Sequence, residues 1–341
     1  MASALSLPGA HVLSVNQPKS LVTPALLPTQ AYLSIDLDGL VIDSVLDFNL
    51  YIPAGPGRFV LFRSTSLEFT VDHRNRLLEN GVRTLYIKAD EKGQYQKYLE
   101  QNIGAVLSNP EVAPKKKASM LYSVSRTVVQ DALAEPRSSE IVPRTRRIAT
   151  QTVDYVLRDG GALVELASIM TTDYYTYTHS INVCVFVTAL ANQAGVDRED
   201  VKELAIGALL HDVGKSQVPK ALLTKNGPLT AEEIGVMRRH VEWGGQLLRQ
   251  HGTLSSLSMI PVLQHHEKVD GSGYPYGLAA PDIHLFGRIS AIADVFDAMT
   301  TNRSYQQAST AFDALQQMKT KLHAQFDQDL LVRFIGMLRK G

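Results

Sequence analysis

Five histidines between positions 179 and 266 lie among apolar neighbours, in stretches with a helical pattern. The five are His179, His211, His240, His265 and His266. Each is placed where an amphipathic helix would turn it towards a core; His240, for example, shares a face with Met237 and Gly244. Burying these rings, and Asp212 beside them, without partners would cost several kcal/mol. The fold must therefore bring them together, and a metal site explains the set.

The helical pattern runs from about residue 148 to the C-terminal end, with long segments broken by glycine and proline. Asp197 and Asp200 are both placed to cap the helix that ends near Asp212. Thr230 and Glu233 form the spacing of a capping box at the start of a later helix. Because no strand alternation of comparable strength occurs there, residues 148–341 are predicted to form an all-α catalytic domain.

The first part of the chain has a different character. Residues 1–30 contain four prolines and no basic region followed by an apolar core, so we expect a loosely ordered leader rather than a secretory signal. Residues 31–109 are predicted to form a small α+β module, with strands over 31–42, 58–63 and 84–89. A helix over 70–80 is predicted to end at Gly81. The fold class is therefore two domains, α+β followed by all-α.

Between the two domains, residues 110–147 are predicted to form a linker with basic clusters and some helix over 119–133. The clusters are Lys115–Lys117 and the group Arg144, Arg146 and Arg147. Such charge runs indicate a solvated segment, although the lysines are also suited to contact with an acidic surface.

Composition limits the partners. Lysine plus arginine (34) equals aspartate plus glutamate (34), so no overall field favours a long nucleic acid, while a small anionic ligand needs only a local basic cluster. No apolar run of about 18 residues predicts a membrane span. The single cysteine, Cys184, excludes an internal disulfide, is expected to be a buried thiol, and fits a reducing compartment. We expect a cytoplasmic protein.

The type of metal follows from the donors. A mixed set of imidazole and carboxylate groups suits Fe, Mn, Ni or Zn better than Mg or Ca. An aspartate next to a ligand histidine is suited to bridging, because its two oxygens can reach one ion each. We therefore expect two divalent ions about 3.5–4 Å apart, with Fe or Mn as first choice and Ni or Zn as alternatives.

Two motifs identify a family. His211-Asp212-Val213-Gly214-Lys215, together with Gly273-Tyr274-Pro275, resembles the HD-GYP family, a branch of the HD-domain phosphohydrolases. Further matching stretches are Asp173–Ser180, Leu223–Gly227, Asp294–Asp297 and Arg303–Tyr305. The segment ahead of the linker is similar to a small module often found before HD-GYP domains in bacteria. The resemblance implies an HD-type helical bundle that hydrolyses cyclic di-GMP to linear pGpG, GMP or both, using metal-activated water.

The resemblance also implies roles for individual residues. The metal ligands would be His179, His211, Asp212, His240, His265, His266 and Asp294. Lys215 would meet a phosphate oxygen and offset charge in the transition state, and Asp212 would be the catalytic bridge. Gly273, Tyr274, Pro275, Arg303 and Tyr305 would line the substrate side, although the Gly-Tyr-Pro loop also has a purely structural interpretation. Asp297 is expected to cap or hydrogen-bond nearby, and Glu267 to support a ligand histidine.

Departures from the family pattern leave the ligand set complete. Tyr175 stands where some members have a glutamate associated with a third ion, so two ions are expected. Val241 stands where a proline is common, and the stretch Gly277-Leu278-Ala279-Ala280 has an alanine where a glycine is common. Two other functions stay open: a receptor that binds cyclic di-GMP without turnover, and a hydrolase of another cyclic dinucleotide. Signalling partners at the N-terminal module or at the Gly-Tyr-Pro loop, and a homodimer, are also compatible with the sequence.

Overall fold

The computed structural model describes residues 31–158, 160–170, 176–252, 254–302 and 308–339. Within these residues, a strand-containing N-terminal region is followed by a region that is almost entirely helical. This order confirms the predicted fold class, a small α+β module ahead of an all-α domain. The predicted leader, residues 1–30, lies outside the described residues.

The N-terminal module contains a four-stranded antiparallel sheet with the order β1-β6-β3-β4 and a separate pair formed by β2 and β5. The strands are β1 (Tyr32–Asp36), β2 (Ser44–Val45), β3 (Leu50–Pro53), β4 (Phe59–Arg63), β5 (Glu68–Phe69) and β6 (Thr84–Lys88). Leu85 and Ile87 alternate into the core, as a half-buried strand requires. They join Leu77 of helix α1 (Val71–Glu79) in a small apolar core.

The strand predicted over 31–42 is shorter in the structure. It ends at Asp36, whose side chain accepts a hydrogen bond from the backbone N–H of Asp38. This contact starts a 3-10 turn over Leu37–Gly39, because an aspartate that bonds its own following backbone competes with a sheet. The helix predicted over 70–80 is confirmed as α1, and Gly81 follows it with a positive φ of 71°.

The helical region begins with α2 (Lys92–Ser108), which the sequence patterns did not predict. The later helices are α3 (Pro114–Ala134), α4 (Ile141–Arg158), α5 (Ala162–Ile169), α6 (Thr176–Gln193), α7 (Arg198–Leu210), α8 (Lys220–Leu223), α9 (Ala231–Arg238), α10 (His240–Arg249), α11 (Ser256–Gln264), α12 (Leu285–Thr300), α13 (Ala311–Thr320) and α14 (Gln328–Leu338). Helix α6 is buried on all sides from Thr178 to Ala191, and α3, α4, α7, α12 and α14 pack around it. Among the described residues, no helix has the length and apolar character needed to span a membrane.

The structure corrects the prediction of a solvated linker over 110–147. Most of this segment is helix α3 and the first part of α4, and Leu121 and Val128 are buried in the same core as α6. Several residues of the predicted basic clusters form ion pairs. Lys116 lies 2.7 Å from a carboxylate oxygen of each of Asp36 and Asp38 in the N-terminal module.

The arginine cluster is paired in the same way. Arg144 donates to the buried carboxylate of Glu100 through Nη2 at 2.8 Å, and Arg147 reaches the same carboxylate at 3.1 Å. Arg146 contacts Glu203 of α7 at 2.7 Å. Every one of these acidic partners is distant in sequence, so a local charge pattern does not reveal them.

Candidate metal centre

The predicted ligands lie on different helices that meet at one buried point. His179 lies in the first turns of α6, and its side chain is only 1% exposed. His211 directly follows α7, and Asp212 directly precedes the 3-10 turn over Val213–Gln217. His240 begins α10, and Asp294 lies in the middle of α12. His265 and His266 directly follow α11 and complete the group.

Four of the five histidines are oriented by a hydrogen bond at Nδ1. The Nδ1 atoms of His211, His240 and His265 lie 2.7, 2.7 and 2.8 Å from the backbone carbonyl oxygens of Ala208, Met237 and Pro261, respectively. Because a carbonyl only accepts, each Nδ1 must carry the proton, and each Nε2 then has a lone pair. His179 has the equivalent contact, with Nδ1 2.7 Å from Oδ2 of Asp297. This is the usual support of a metal-binding imidazole.

The Nε2 lone pairs face one another. Nε2 of His240 lies 3.3 Å from Nε2 of His265, although neither atom carries a proton to donate. Two ligands of one ion at about 2.1 Å lie about 3.0–3.4 Å apart in octahedral or tetrahedral geometry. The separation therefore fits a shared cation, which would also remove the repulsion between the lone pairs.

Two groups of ligand atoms can be distinguished. In the first, Nε2 of His179 lies 2.9 Å from Oδ1 of Asp294 and 3.3 Å from Nε2 of His211. In the second, the ligand atoms of His240, His265 and His266 all lie within 4.8 Å of one another. The structure thus brings all seven predicted ligands together.

Asp212 lies between the two groups. Its Oδ2 is 3.4 Å from Nε2 of His211, and its Oδ1 is 3.3 Å from Nε2 of His240. Oδ1 is fully buried and has no hydrogen-bond donor among the described residues. A buried carboxylate oxygen without a donor is costly, so the donor set fits a pair of cations with Asp212 between them.

The protonation states agree with this arrangement. Burial lowers the pKa of His240 to about 4, despite the opposing effect of Asp212, and burial also holds the pKa of His265 well below its usual range. Burial alone would raise the pKa of Asp212, but Lys215 and His211 outweigh it, so the pKa lies well below its usual range. His266 and His179 have the same effect on the pKa of Asp294. Near neutral pH, these groups are neutral imidazoles and ionised carboxylates, the forms that bind metal.

Lys215 is the cation closest to the bridge position. Its Nζ lies 2.5 Å from Oδ2 of Asp212, and 15% of its side chain is exposed. It is therefore at once a partner of the buried carboxylate and a positive charge at the edge of the centre. This position is compatible with the predicted contact to a phosphate oxygen.

The Gly-Tyr-Pro loop packs directly on the second group. The backbone N–H of Tyr274 donates to the carbonyl oxygen of His266 at 3.1 Å, and the Tyr274 ring stacks on the His266 ring with centroids 4.6 Å apart. The Arg238 guanidinium lies over Tyr274, 4.8 Å from the ring centroid. A Cβ on Gly273 would lie 2.5 Å from Cα of Glu267, so this close approach needs glycine.

Glu267 has a different role from the one predicted. Its buried carboxylate accepts hydrogen bonds from the backbone N–H groups of Tyr276 at 2.8 Å and Leu278 at 2.9 Å. It therefore holds the loop closed instead of supporting a ligand histidine. Charge-assisted bonds to backbone N–H groups are among the stronger hydrogen bonds, which accounts for a carboxylate at a buried position.

The remaining sequence predictions have mixed outcomes. Asp297 hydrogen-bonds nearby, as expected. Arg303, Tyr305 and Tyr175 lie outside the described residues. Two contributors were missed. Asn182 donates to Asp297 at 2.7 Å, and the Arg238 guanidinium lies over the Tyr274 ring. The signal for Asn182 was an amide one helical turn after the ligand His179.

Comparisons with known proteins agree with this geometry. A model of the HD domain family matches residues 162–330, which include every predicted ligand. A cyclic di-GMP phosphodiesterase of Pseudomonas aeruginosa is 34% identical over 275 residues, which are 76% of this chain and 66% of that protein. A 3'3'-cGAMP-specific phosphodiesterase of Vibrio cholerae is 39% identical over 164 residues, which are 48% of this chain and 31% of that protein.

Among solved structures, an HDG"Y"P protein from Bdellovibrio bacteriovorus has the same fold. The TM-score is 0.65 at 22% sequence identity, and the match covers 91% of this chain and 100% of that one. The chain thus shares its architecture with that protein over nearly its whole length. It spans about two thirds of the Pseudomonas relative and about a third of the Vibrio relative.

Proposed function

Because this chain belongs to the HD domain family, in its HD-GYP branch, we propose that it hydrolyses cyclic di-GMP to linear pGpG, GMP or both in bacterial second-messenger signalling. One observation carries the proposal: Asp212 presents one carboxylate oxygen to each of two groups of ligand atoms. When bound, paired divalent ions activate water and neutralise charge on a phosphoryl group. The Pseudomonas relative, named for this activity, aligns with 76% of the chain.

The centre would hold two divalent ions. His179, His211 and Asp294 would hold the first, and His240, His265 and His266 the second, with Asp212 shared. The mixed set of imidazole and carboxylate donors suits Fe or Mn, with Ni or Zn as alternatives. Family membership supports divalent metal binding in general; the number and identity of the ions are part of the proposal.

The chain's own groups would act on the substrate around this centre. Lys215 would bind a phosphate oxygen and stabilise the charge that develops as the bond to phosphorus forms. Tyr274, held between His266 and Arg238, would form the wall next to the bound dinucleotide, with Gly273 and Pro275 setting its position. Arg303 and Tyr305 would complete the substrate side. Protein partners at the N-terminal module or at this loop, and a homodimer, stay proposals.

A second substrate has specific support. The Vibrio cholerae relative that is 39% identical over 164 residues is named as specific for 3'3'-cGAMP, a cyclic dinucleotide that differs from cyclic di-GMP in one base. The shared phosphodiester chemistry would use the same metal centre, so discrimination would depend on contacts to the second base. Cyclic di-GMP is the first choice because the relative that aligns with the larger share of the chain is named for it.

The bridging role of Asp212 gives the sharpest test of the metal centre. Asp212→Asn keeps the size of the side chain and removes the charge shared by both groups, so we expect uptake of both ions to fall together and turnover to be lost. Asp154→Asn is the matched control, because Asp154 pairs with Arg198 on the surface. Elemental analysis of protein purified without oxygen measures the ions. A variant that keeps wild-type metal content would refute the bridge.

The substrate is tested with the metal-loaded protein and both dinucleotides. We expect linear pGpG or GMP to accumulate from cyclic di-GMP, faster than the product of 3'3'-cGAMP, as measured by chromatography. Equal rates would contradict the preference for cyclic di-GMP. Binding without product beyond that of a metal-free control would contradict the enzyme and favour a receptor.

A further inference from the structure

A chain of buried hydrogen bonds leads from helix α3 to the ligand His179. The Tyr122 hydroxyl donates to Oδ1 of Asn182 at 3.1 Å, and Nδ2 of Asn182 donates to Oδ1 of Asp297 at 2.7 Å. Oδ2 of Asp297 then contacts Nδ1 of His179 at 2.7 Å. All four residues are buried, at 7%, 1%, 2% and 1% exposure, respectively. We propose that Tyr122 is a positioning residue that acts through this chain on the first metal ion.

The direction of each bond is determined by chemistry. A carboxylate offers only acceptor oxygens, so Asn182 must turn its NH2 group towards Asp297 and its oxygen towards Tyr122. In the opposite orientation, the amide oxygen of Asn182 would face the Asp297 carboxylate, and the two acceptor oxygens would repel each other. The same carboxylate requires a proton on Nδ1 of His179, which leaves the Nε2 lone pair for a metal. Tyr122 therefore supports, through two intermediates, the orientation of the His179 ring.

The position of Tyr122 in the fold connects these hydrogen bonds to a helix that also contacts the N-terminal module. Tyr122 lies on α3, outside the residues 162–330 that match the HD domain family. The first turn of the same helix carries Lys116, which pairs with Asp36 and Asp38 of the N-terminal module. One helix thus contacts both the module and the support of a metal ligand. The inference rests on the proposed metal centre.

The expected effect decreases with distance from the metal. Changing a residue that directly supports a metal ligand typically costs about tenfold to a hundredfold in metal affinity. Tyr122→Phe removes the hydrogen bond to Asn182, which lies two residues further out than such a direct support, and keeps the aromatic ring, so we expect metal affinity to fall about threefold to tenfold. Asn182→Ala interrupts the hydrogen bonds one residue nearer to the metal and should cost more, at least about tenfold, the lower end of the range for a direct support.

Tyr155 provides a matched control. Its buried hydroxyl donates to the backbone oxygen of Pro114 at 3.1 Å, at the start of the same helix α3, and this bond does not lead to the metal ligands. Tyr155→Phe therefore makes the same chemical change at a similarly buried place. The full chain, freed of metal, is titrated with Co²⁺ and followed by visible absorption. Thermal unfolding of the metal-free variants, and kcat and KM for cyclic di-GMP, are measured in parallel.

We expect Tyr122→Phe to lower the affinity for one of the two Co²⁺ ions and to lower kcat, with KM little changed. Tyr155→Phe should leave Co²⁺ affinity, kcat and KM at their wild-type values. Wild-type Co²⁺ affinity in Tyr122→Phe would overturn the proposal. So would an equal loss in Tyr155→Phe, because lost stability of α3 would then explain both. Should Tyr122→Phe fail to fold, wild-type Co²⁺ affinity in Asn182→Ala would overturn it instead.

The same titration separates this inference from the proposed function. If the wild-type chain binds no Co²⁺, the metal centre is wrong and the inference falls with it. If the wild type binds two ions without hydrolysing cyclic di-GMP, only the proposed function is wrong. The graded loss of Co²⁺ affinity across Tyr122→Phe and Asn182→Ala would in that case still support the positioning role.

Discussion

Gly214 lies in the 3-10 turn that follows Asp212, directly against the first turn of α10. A Cβ at this position would lie 1.9 Å from the carbonyl oxygen of His240 and 2.5 Å from the backbone nitrogen of Gly244. An ordinary contact begins near 3.4 Å, so Gly214→Ala must push the two backbones apart by about 1.5 Å. No side-chain rotation can relieve this clash, because both contacts are to backbone atoms. We expect about 3 kcal/mol of lost stability, the upper end for overpacking.

The same displacement acts on the metal centre. Nε2 of His240 lies 3.3 Å from Oδ1 of Asp212, and a further 1.5 Å along that direction would leave them about 4.8 Å apart. Two ligand atoms that each lie about 2.1 Å from one ion are at most about 4.2 Å apart. One ion could therefore no longer bind both His240 and Asp212. We therefore expect Gly214→Ala to lose the second ion and to slow turnover by at least about a hundredfold, as for a misplacement of about 1 Å.

The measurement is urea unfolding of the metal-free protein, together with metal content and turnover. Gly235→Ala is the control, because Gly235 lies within α9 and a Cβ there would meet nothing within 4 Å. In that open helical position, alanine should stabilise the protein by up to about 1 kcal/mol and leave metal content unchanged. The same substitution, glycine to alanine, is thus expected to lower the free energy of unfolding at position 214 and to raise it at position 235. Wild-type stability and two bound ions in Gly214→Ala would refute the reasoning.

Other predictions concern single contacts. Lys215→Ala should keep the ions and slow hydrolysis about tenfold to a thousandfold, since it removes a charge next to the reacting phosphate; loss of metal would contradict this role. Glu267→Gln should speed amide exchange at Tyr276 at least about tenfold, since a bond to a charged acceptor is lost; unchanged exchange would argue against Glu267 as the closure of the loop. Burial alone would raise the pKa of Glu203, but hydrogen bonds from two serines and Arg146 outweigh it and lower the pKa. Glu203→Gln should therefore lower the free energy of unfolding at pH 7. The difference from wild type should shrink as the pH falls below about 4.3, the unfolded-state pKa, and through the lower folded-state pKa. A difference in urea unfolding that stays constant with pH would contradict the ion pair.

The sequence was most informative where a local pattern and a chemical requirement coincide. Thr230 and Glu233 have capping-box spacing, and the structure contains both reciprocal bonds. The histidines were found because a buried imidazole needs a partner, and helical period showed which of them face inward. Their convergence follows from the same argument, since no single helix could satisfy them.

The sequence was least informative where partners are distant along the chain. The basic residues of 110–147 looked solvated because Asp36, Glu100 and Glu203, which neutralise them, come from other elements. Glu267 was assigned to a histidine because it follows His266, whereas its actual partners are backbone N–H groups of a loop. Backbone donors have no residue signature, so only the folded chain reveals such a contact.

Helix α2 belongs to two cores at once. Tyr98 packs with the N-terminal sheet and bonds to Ser44, while Leu99 and Ile103 on the same helix join the core of the helical region. A shortened chain that starts at residue 110 or 148 would therefore strip a packed apolar face from what is left. For anyone trimming this protein for crystals or for a biosensor, a cut on either side of α2 would expose an apolar face, so the N-terminal module and the helical region are better exchanged as one piece.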